Sequence, residues 1–345
     1  MITTRDIADR LGLSVSTVGR ALADDPRISE GTKFRVRQAA SDMGYVANRA
    51  ARMMRGASSN VVGLVIPDIR NSFYSTIAHE LSKNMEAQGF QLMLSETDED
   101  RMVELRHLRE LSANRVAGVI IVPTARPHRE SVKLLRTIPH LQLLRKHRSL
   151  SSQWFGVDDH EALRLATAHL VEQGHTEICY VGGPVELPTG AERLEGFRSA
   201  LREGGLPESA GRTELGPPSS VDHGRRAVRR ILADRPASTA IVLGSVQLTL
   251  GVLEELRQTD IKVPEDLSIV GFGDEPGFSW WGPGLTSVAF PIQEMATGCA
   301  LWLMRRLATQ PDNDNTYASV SSGTLIVRGS TAPPPSGHTS GSRSG

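Results

Sequence analysis

From Val61 onward, short apolar runs alternate along the chain with longer amphipathic stretches. The runs are continuously apolar, which is typical of strands buried on both faces of a parallel sheet. The stretches between them repeat apolar residues at helical spacing. We therefore predict an α/β fold of doubly wound parallel sheets, and about nine strands over ~270 residues indicate two such units. In folds of this kind a ligand binds outside the carboxyl ends of the strands.

The boundaries of these elements follow from the apolar runs. The strand candidates are Val61–Pro67, Phe90–Glu96, Gly118–Pro123, Leu141–Leu144, Phe155–Val157, Ile178–Gly182, Ala240–Gly244 and Leu267–Phe272. The helix candidates are Phe73–Gln88, Arg101–Leu111, Glu161–Gln173, Glu192–Glu203, Gly224–Ala233 and Leu248–Gln258.

The first 60 residues follow a different pattern, which predicts three short helices. The segment Thr3–Asp6 matches a capping box at the start of the first helix, and Gly12 can adopt the left-handed conformation that ends it. Ser14 can cap a second helix, expected from Val15 to Ala23. A third helix is expected from Ser29 to Met43. The inward-facing candidates are Ile7, Ala8, Leu11, Val18, Ala21, Leu22, Phe34, Val36, Ala39, Ala40 and Met43.

Two short helices joined by a glycine turn and braced by a third are typical of an all-α helix-turn-helix module. The second helix of such a module fits the major groove of DNA, and here Val15, Ser16, Gly19 and Arg20 face outward. Residues 1–60 carry ten basic and six acidic residues, a net charge of +4, whereas the rest of the chain carries 29 and 33, a net charge of −4. This asymmetry favours a polyanionic partner for the module. The alternative is a small helical interaction module that does not bind DNA.

Several segments resemble the lactose/galactose repressor (LacI/GalR) family of transcriptional regulators. In the amino-terminal module they are Arg5–Ala8, Gly12–Val18, Arg20–Leu22, Arg27–Ser29 and Gly44–Arg52. In the body they include Gly63–Tyr74, Thr97–Asp100, Gly118–Ile120, Gly156–Asp158, His169–His175, Gly182–Pro184, Arg193–Phe197, Val263–Phe272 and Leu285–Val288. The resemblance covers nearly the whole chain. One departure is Gly19, where the family usually has serine.

The resemblance implies DNA-binding roles. Val15, Ser16 and Arg20 occupy positions that read bases in the major groove, and Arg20 is expected to contact guanine. Thr17 and Asn48 occupy positions that anchor the DNA backbone. The full set of expected DNA-binding residues is Thr4, Ser14, Val15, Ser16, Thr17, Arg20, Ser29, Asn48, Arg49, Ala51, Arg52 and Met54.

The segment that follows the module matches the family's hinge helix, which inserts into the minor groove. Met54 stands at the position of an intercalating leucine, and an unbranched thioether can also act as an apolar wedge. The alternative for Met53 and Met54 is a linker that packs on the body. The segment Gly56–Asn60 has the composition of a flexible linker.

The resemblance also implies a periplasmic-binding-protein-like core in which the chain crosses three times between two subdomains. We expect a helix-turn-helix headpiece at 1–47, a hinge helix and linker at 48–60, and an effector-binding and dimerisation core at 61–330. The core's N-subdomain would take residues 61–160 and 292–320, and its C-subdomain residues 161–291 and 321–330. Residues 331–345 are rich in Pro, Gly and Ser and are predicted to be a disordered tail.

The expected effector site departs from the family pattern at the strand ends. Leu144, Ser245–Val246 and Gly273 stand where sugar-binding relatives tend to have acidic or amide side chains. Arg193 remains at the position of a ligand-contacting arginine, and Arg145 follows a strand end; a guanidinium suits a carboxylate or a phosphate. We therefore predict a sugar derivative or an anionic metabolite as the effector. The alternative is that Arg145, Lys146, His147 and Arg148 form a solvated surface run.

Other residues near the strand ends complete the predicted site. The aromatic residues Phe73, Tyr74, Trp280 and Trp281 could stack on a ligand or pack inside the fold. The expected effector-binding residues are Asn71, Phe73, Arg145, Arg193, Gln247, Asp274 and Trp280.

Composition and motifs exclude several other classes. The longest apolar run has about six residues, far fewer than the ~18 of a membrane-spanning helix. Charges near the amino terminus interrupt any apolar signal segment, so we expect a cytoplasmic protein. The two cysteines, Cys179 and Cys299, have no metal-binding spacing. Motifs of serine hydrolases, phosphate-binding loops and zinc peptidases are missing, so we expect no enzyme, no cofactor and no metal.

Together these features predict a sequence-specific DNA-binding regulator, a repressor, that acts as a homodimer on a near-palindromic operator and responds to a small-molecule effector. The alternative is a stand-alone small-molecule binding protein, which would share the body but not the first 60 residues.

Overall fold

The computed structural model describes residues 2–45, 59–150, 153–217, 220–233, 238–308 and 317–335. The chain divides into two compact units, residues 1–58 and residues 59–345. The helices described are α1 Thr4–Leu11, α2 Val15–Leu22, α3 Glu30–Asp42, α4 Ser72–Glu86, α5 Arg101–Ala113, α6 Arg129–Leu135, α7 Asp159–Glu172, α8 Pro188–Glu203, α9 Val221–Ala233, α10 Val246–Leu256 and α11 Ile292–Ala308. The strands described are β1 Val61–Ile66, β2 Gln91–Glu96, β3 Gly118–Ile121, β4 His140–Leu143, β5 Trp154–Val157, β6 Ile178–Gly182, β7 Gly211–Leu215, β8 Ala240–Leu243, β9 Ser268–Phe272, β10 Thr286–Ala289, β11 Ala318–Ser321 and β12 Thr324–Ile326.

The first unit, which we call the headpiece, is a tripod of α1, α2 and α3 around its own apolar core. The core residues are Ile7, Ala8, Val18, Ala21, Val36, Ala39 and Ala40. The prediction that Phe34 faces inward was wrong, because its side chain is 69% exposed. Val36 and Ala40 lie one helical turn apart on the buried stripe of α3, and Phe34 projects from the opposite side.

The second unit, which we call the core, contains two six-stranded sheets. The first has the order β11-β5-β4-β3-β1-β2, with every neighbouring pair parallel. The second has the order β12-β10-β9-β8-β6-β7 and is parallel except for the pairing of β10 with β12. Every residue of β1, β3, β6, β8 and β9 is buried, as expected for strands covered by helices on both faces. The predicted fold class is confirmed.

Four strands escaped prediction from the sequence. β7, β11 and β12 are partly exposed and short, and each lies at the edge of its sheet; β7 and β11 are also rich in polar residues. An edge strand pairs on one side only, so its side chains need not form a continuous apolar run. β10 is a short, polar-looking segment, Thr286–Ala289, although three of its four residues are buried.

The chain passes between the two sheets three times: after β5, between β10 and α11, and between β11 and β12. This interleaving brings the carboxyl ends of β1, β4 and β5 in one sheet close to those of β8 and β9 in the other. A cavity lies at that junction.

The chain continues in ordered contact with the second sheet beyond β12. The Ile269 amide donates to the Ser330 carbonyl oxygen (2.8 Å), and the Ala332 amide donates to the Ser268 hydroxyl (3.0 Å). The His175 ring lies 2.9 Å from the Ala332 carbonyl oxygen. The prediction of disorder from residue 331 was therefore wrong for residues 331–335, because tertiary hydrogen bonds hold a segment whose composition alone indicates disorder. Residues 336–345 lie outside the described part of the chain.

Within the described ranges, every helix is too short or too polar to cross a membrane.

Candidate DNA-binding and effector sites

The turn between α1 and α2 has the geometry that its residues predict. Gly12 adopts a left-handed conformation, φ 65°, and the Leu13 amide donates to the Ala8 carbonyl oxygen (3.0 Å). The Ser14 hydroxyl then accepts from the Thr17 amide (3.1 Å) and caps α2. Ser14 also lies within hydrogen-bond distance of the hydroxyls of Ser16 (2.9 Å) and Thr17 (2.8 Å). The amino end of α2 thus presents a cluster of hydroxyls at the positive end of the helix dipole, where a phosphate is favoured.

The outward face of α2 separates cleanly from its buried face. Val18 and Ala21 are fully buried, whereas Ser16 and Arg20 are exposed and the Val15 side chain is 43% exposed. Arg20 forms no ion pair within residues 2–45. The predicted base-reading side chains therefore lie on one accessible surface of one helix.

Other basic residues of the headpiece are already paired with carboxylates. Arg27 binds Asp25 (2.7 Å), and this hydrogen-bonded pair lowers the pKa of the Asp25 carboxyl. Asp24 binds both Arg37 (2.6 Å) and Lys33 (3.1 Å). In the described part of the headpiece, the arginines without such an ion pair are Arg5, Arg10, Arg20 and Arg35. Charge available to DNA is thus restricted to a few positions.

The remaining predicted DNA-binding residues divide into two groups. Thr4 is the first residue of α1, and Ser29 caps α3 by accepting from the Thr32 amide (3.3 Å). Those of the hinge segment lie outside the described residues: Asn48, Arg49, Ala51, Arg52 and Met54.

A cavity of about 50 Å³ lies between the two sheets of the core. Its polar lining consists of Asn71, Arg145, Asp159, Thr189, Arg193 and Ser245. Its apolar lining consists of Phe73, Tyr74, Leu144, Val157, Val246 and Phe272. A water molecule needs a cavity of ~10–15 Å³, so this one has room for only a few waters and must widen to admit a metabolite. Four of the predicted effector residues, Asn71, Phe73, Arg145 and Arg193, meet here.

Arg145 is buried beside this cavity and paired with a carboxylate of its own chain. Its two terminal nitrogens donate to the two oxygens of Glu99 at 2.7 and 2.6 Å, a bidentate arrangement. The Arg145 residue is only 4% exposed. The alternative of a solvated basic run thus does not apply to Arg145, although Lys146 and Arg148 are exposed.

Arg193 is paired as well, at the opposite side of the cavity. Its Nε donates to Asp159 (2.6 Å), and one terminal nitrogen donates to the Gly244 carbonyl oxygen (2.6 Å). Its guanidinium lies 4.0 Å from the centre of the Phe272 ring, within the range of a cation–π contact. Burial raises the pKa of Asp159, and the charge of Arg193 opposes that rise. Two ion pairs thus flank the cavity. Sequence reasoning did not predict either pairing.

Three predicted effector residues lie elsewhere. Gln247 donates from its side chain to the Arg70 carbonyl oxygen (3.4 Å), a contact between the two halves of the core. Asp274 forms an ion pair with Arg328 (2.8 Å) and accepts a hydrogen bond from the Ser287 hydroxyl (2.8 Å). Its carboxylate is therefore already bound within the fold.

Trp280 also lies away from the cavity. Its side chain is 77% exposed and lines a separate open groove with Trp281 and Leu256. The structure therefore does not bring Trp280 to the cavity between the sheets. The short 3-10 turn that precedes it, Pro276–Ser279, carries the chain past the ends of the strands.

Sequence reasoning missed several residues of the cavity and of the ion pairs beside it. Asp159 is the first residue of α7 and looks like an ordinary acidic residue of a helix start. Thr189 is on α8, and Glu99 is in a loop of four polar residues. Tyr74 was considered as an aromatic residue that could stack on a ligand or pack inside the fold, but it was not among the predicted effector residues. Nothing local in the sequence distinguishes them, because their roles depend on partners far along the chain.

Comparisons with known proteins find matches to both units of the chain. Residues 3–48 match the family described as bacterial regulatory proteins, lacI family, and residues 167–331 match a periplasmic binding protein-like domain. The HTH-type transcriptional regulator DegA of Bacillus subtilis is 31% identical over 298 residues, which cover 85% of this chain and 88% of DegA. The ribose operon repressor of Escherichia coli is 28% identical over 322 residues, 90% of this chain and 94% of that repressor.

Solved structures show the same fold. The Lac repressor dimer bound to operator and the anti-inducer ONPF has a TM-score of 0.82 at 21% identity, over 96% of this chain and 99% of that chain. A complex of the transcriptional regulator CelR with cellobiose has a TM-score of 0.70 at 26% identity, over 96% of this chain and 100% of that chain. The resemblance seen in the sequence motifs is confirmed, and the chain belongs to the LacI family of bacterial regulatory proteins.

Proposed function

We propose that this protein is a transcriptional repressor that binds a specific operator through its headpiece and responds to a small molecule bound between the two sheets of its core. The observation that carries the proposal is the outward face of α2. Val15, Ser16 and the unpaired Arg20 lie together on a helix whose capped amino end favours phosphate. Such a regulator acts in the cytoplasm, where DNA is accessible.

The residues divide into base-reading and backbone-binding groups. Arg20 would donate to a guanine, and Val15 would contact an apolar base edge such as a thymine methyl group. Thr4, Ser14, Thr17 and Ser29 would bind phosphates. The hinge residues Asn48, Arg49, Ala51, Arg52 and Met54 would enter the minor groove.

We further propose that the active form is a homodimer on a near-palindromic site. One headpiece makes too small a contact for specific affinity, and a two-fold dimer doubles it. The relative with the solved operator complex is itself a dimer.

The effector would act by changing the opening between the two halves of the core. The cavity is too small for a metabolite as it stands, so binding must accompany a movement that affects contacts such as that between Gln247 and Arg70. The change in operator affinity cannot exceed the difference in effector affinity between the two states, typically about 1–3 kcal/mol.

The function can be tested by selecting bound sequences from a random pool of duplex DNA with the full chain. We expect a near-palindromic consensus. In gel-shift titrations Arg20→Ala should weaken binding to that consensus by about tenfold or more, because one bidentate base contact discriminates by about 1–3 kcal/mol. Arg37→Gln is the matched control, since Arg37 is bound to Asp24 and should not read bases.

Two results would contradict the proposal: failure of any sequence to be enriched, or unchanged sequence preference in Arg20→Ala. The first would favour the alternative of a small-molecule binding protein without DNA function.

A further inference from the structure

The two ion pairs beside the cavity differ in how firmly the carboxylate is held. The side chain of Asp159 is 2% exposed, and this residue opens helix α7, so its position is set by the helix. The side chain of Glu99 is 32% exposed and belongs to the loop between β2 and α5. Arg145, in contrast, has a side chain only 5% exposed and cannot leave its site without repacking. Of the two carboxylates, Glu99 is the one that can move away.

The loop that presents Glu99 is conformationally unfavourable. Asp98 and Glu99 have φ values of 48° and 60°, so two consecutive non-glycine residues occupy the left-handed region. Leu144, directly before Arg145, also has a positive φ, 59°. Such conformations are costly and persist only where surrounding contacts hold them, frequently at ligand sites. The bidentate contact between Glu99 and Arg145 is a contact of this kind, since it joins both unusual segments.

Two hydroxyl groups that could donate hydrogen bonds to a ligand also line the cavity. The Tyr74 residue is 7% exposed and lines the cavity, yet its hydroxyl has no hydrogen-bond partner among the described residues. The same holds, within those ranges, for the hydroxyl of Thr189. A ligand rich in acceptor oxygens would satisfy these groups together with Arg145.

We propose that the effector is a small carboxylic acid. Its carboxylate displaces Glu99 and takes over the bidentate contact with Arg145 that Glu99 makes in the absence of effector. Exchange of one carboxylate for another keeps the buried guanidinium compensated, whereas a neutral ligand that removed Glu99 would leave an unpaired buried charge. Displacement also releases the left-handed loop at the start of α5. The inference rests on the proposed function only where it calls the ligand an effector. The site for a carboxylate belongs to the core alone.

The first test is chemical rescue of thermal stability in the full chain. Glu99→Ala should lower the melting temperature by about 5 °C or more, because it leaves Arg145 buried and unpaired. Formate or acetate should restore at least half of that loss, and chloride at equal ionic strength should not. Glu195→Ala, which breaks the exposed pair of Glu195 with Arg202, is the matched control and should show no difference between formate and chloride. Equal effects of formate and chloride on Glu99→Ala would overturn the proposal.

The second test compares matched ligands by calorimetry: D-glucuronate against D-glucose, and D-gluconate against D-glucitol. Glu99→Gln should bind the acid of a pair at least about tenfold more tightly than the unchanged chain does, because the competing carboxylate is gone. Adding Arg145→Gln to the Glu99→Gln variant should abolish that gain in acid binding. Preference for the neutral member of each pair, or weaker acid binding in Glu99→Gln, would contradict the proposal. If none of these four compounds binds, the rescue experiment decides alone.

The outcome is separable from that of the proposed function. Operator selection uses the unchanged chain without ligand and can fail while formate rescue succeeds, or the reverse.

Discussion

Buried carboxylates in the core differ in whether the fold supplies them with a positive charge. Asp159 has Arg193, at 2.6 Å. Glu104 on α5 is fully buried. Its Oε2 accepts a hydrogen bond from the Thr124 amide (2.9 Å), which is uncharged, and its Oε1 has no hydrogen-bond partner within the described part of the chain. Burial raises the pKa of Glu104, and the hydrogen bond from the Thr124 amide offsets part of that rise. Folding therefore shifts Glu104 toward its protonated form, relative to the unfolded chain at the same pH.

This preference predicts a pH-dependent stability. The unfolded chain releases the Glu104 proton near its ordinary pKa, and the folded chain releases it at higher pH, so this residue's contribution to stability falls as pH rises through that interval. Glu104→Gln keeps an oxygen for the Thr124 amide without the charge, so its melting temperature should exceed that of the unchanged protein by a few degrees at pH 8. The difference should shrink toward pH 4.5. Scanning calorimetry across this range measures both.

A control with the opposite sign is Glu195. Its hydrogen bond to Arg202 lowers the pKa of the Glu195 carboxyl, so Glu195→Gln should slightly lower stability at pH 8 and have no effect at low pH. A pH-independent difference for Glu104→Gln would refute the assignment.

At the scale of secondary structure, glycines set how closely neighbouring helices approach. A β-carbon at Gly251 on α10 would lie 2.0 Å from the Val221 carbonyl oxygen at the start of α9. A β-carbon at Gly196 on α8 would lie 2.1 Å from the His160 carbonyl oxygen on α7. In both pairs the backbone of one helix occupies the space that a side chain would need. Helix packing on the second sheet therefore depends on residues that carry no apolar surface.

We therefore expect Gly251→Ala to destabilise the core by about 1–3 kcal/mol, the usual cost of overpacking, despite alanine's better helix propensity. Gly298→Ala, in the middle of α11, is the matched control. A β-carbon at Gly298 would make an ordinary 3.5 Å contact with the Phe155 side chain. Urea unfolding of the two variants should place them on opposite sides of the unchanged protein. Equal stability of both would show that α9 and α10 can separate at little cost.

At the scale of the molecule, each unit has its own apolar core. The headpiece cluster contains only residues before 46, and the four clusters of the second unit contain only residues after 60. A unit with a core of its own can fold alone.

A fragment of residues 59–345 should accordingly unfold cooperatively, with a melting temperature within about 5 °C of the full chain's core transition, and should not bind the selected operator. Circular dichroism and gel shift measure these properties. Loss of cooperative unfolding in the fragment would mean that the headpiece contributes to the stability of the core.

The sequence by itself determined the features that depend on neighbours along the chain. The capping box of Thr3 and Asp6, the left-handed Gly12 and the cap at Ser14 each act within four residues, so their chemistry can be read locally. The central strands could be predicted for a related reason: burial on both faces requires an uninterrupted apolar run. The exposed face of α2 followed from helical periodicity, and family resemblance then assigned its role.

Only the tertiary structure decided which charges are free. Arg145 and Arg193 look alike in the sequence, yet each is neutralised by a carboxylate 46 or 34 residues away, and Asp274 is bound to Arg328, 54 residues later. Pairing at such separations depends on how the helices and strands pack together, which sets distances in space that spacing in the sequence does not encode. The edge strands and residues 331–335 were missed for the same reason, because partners far along the chain hold them in place.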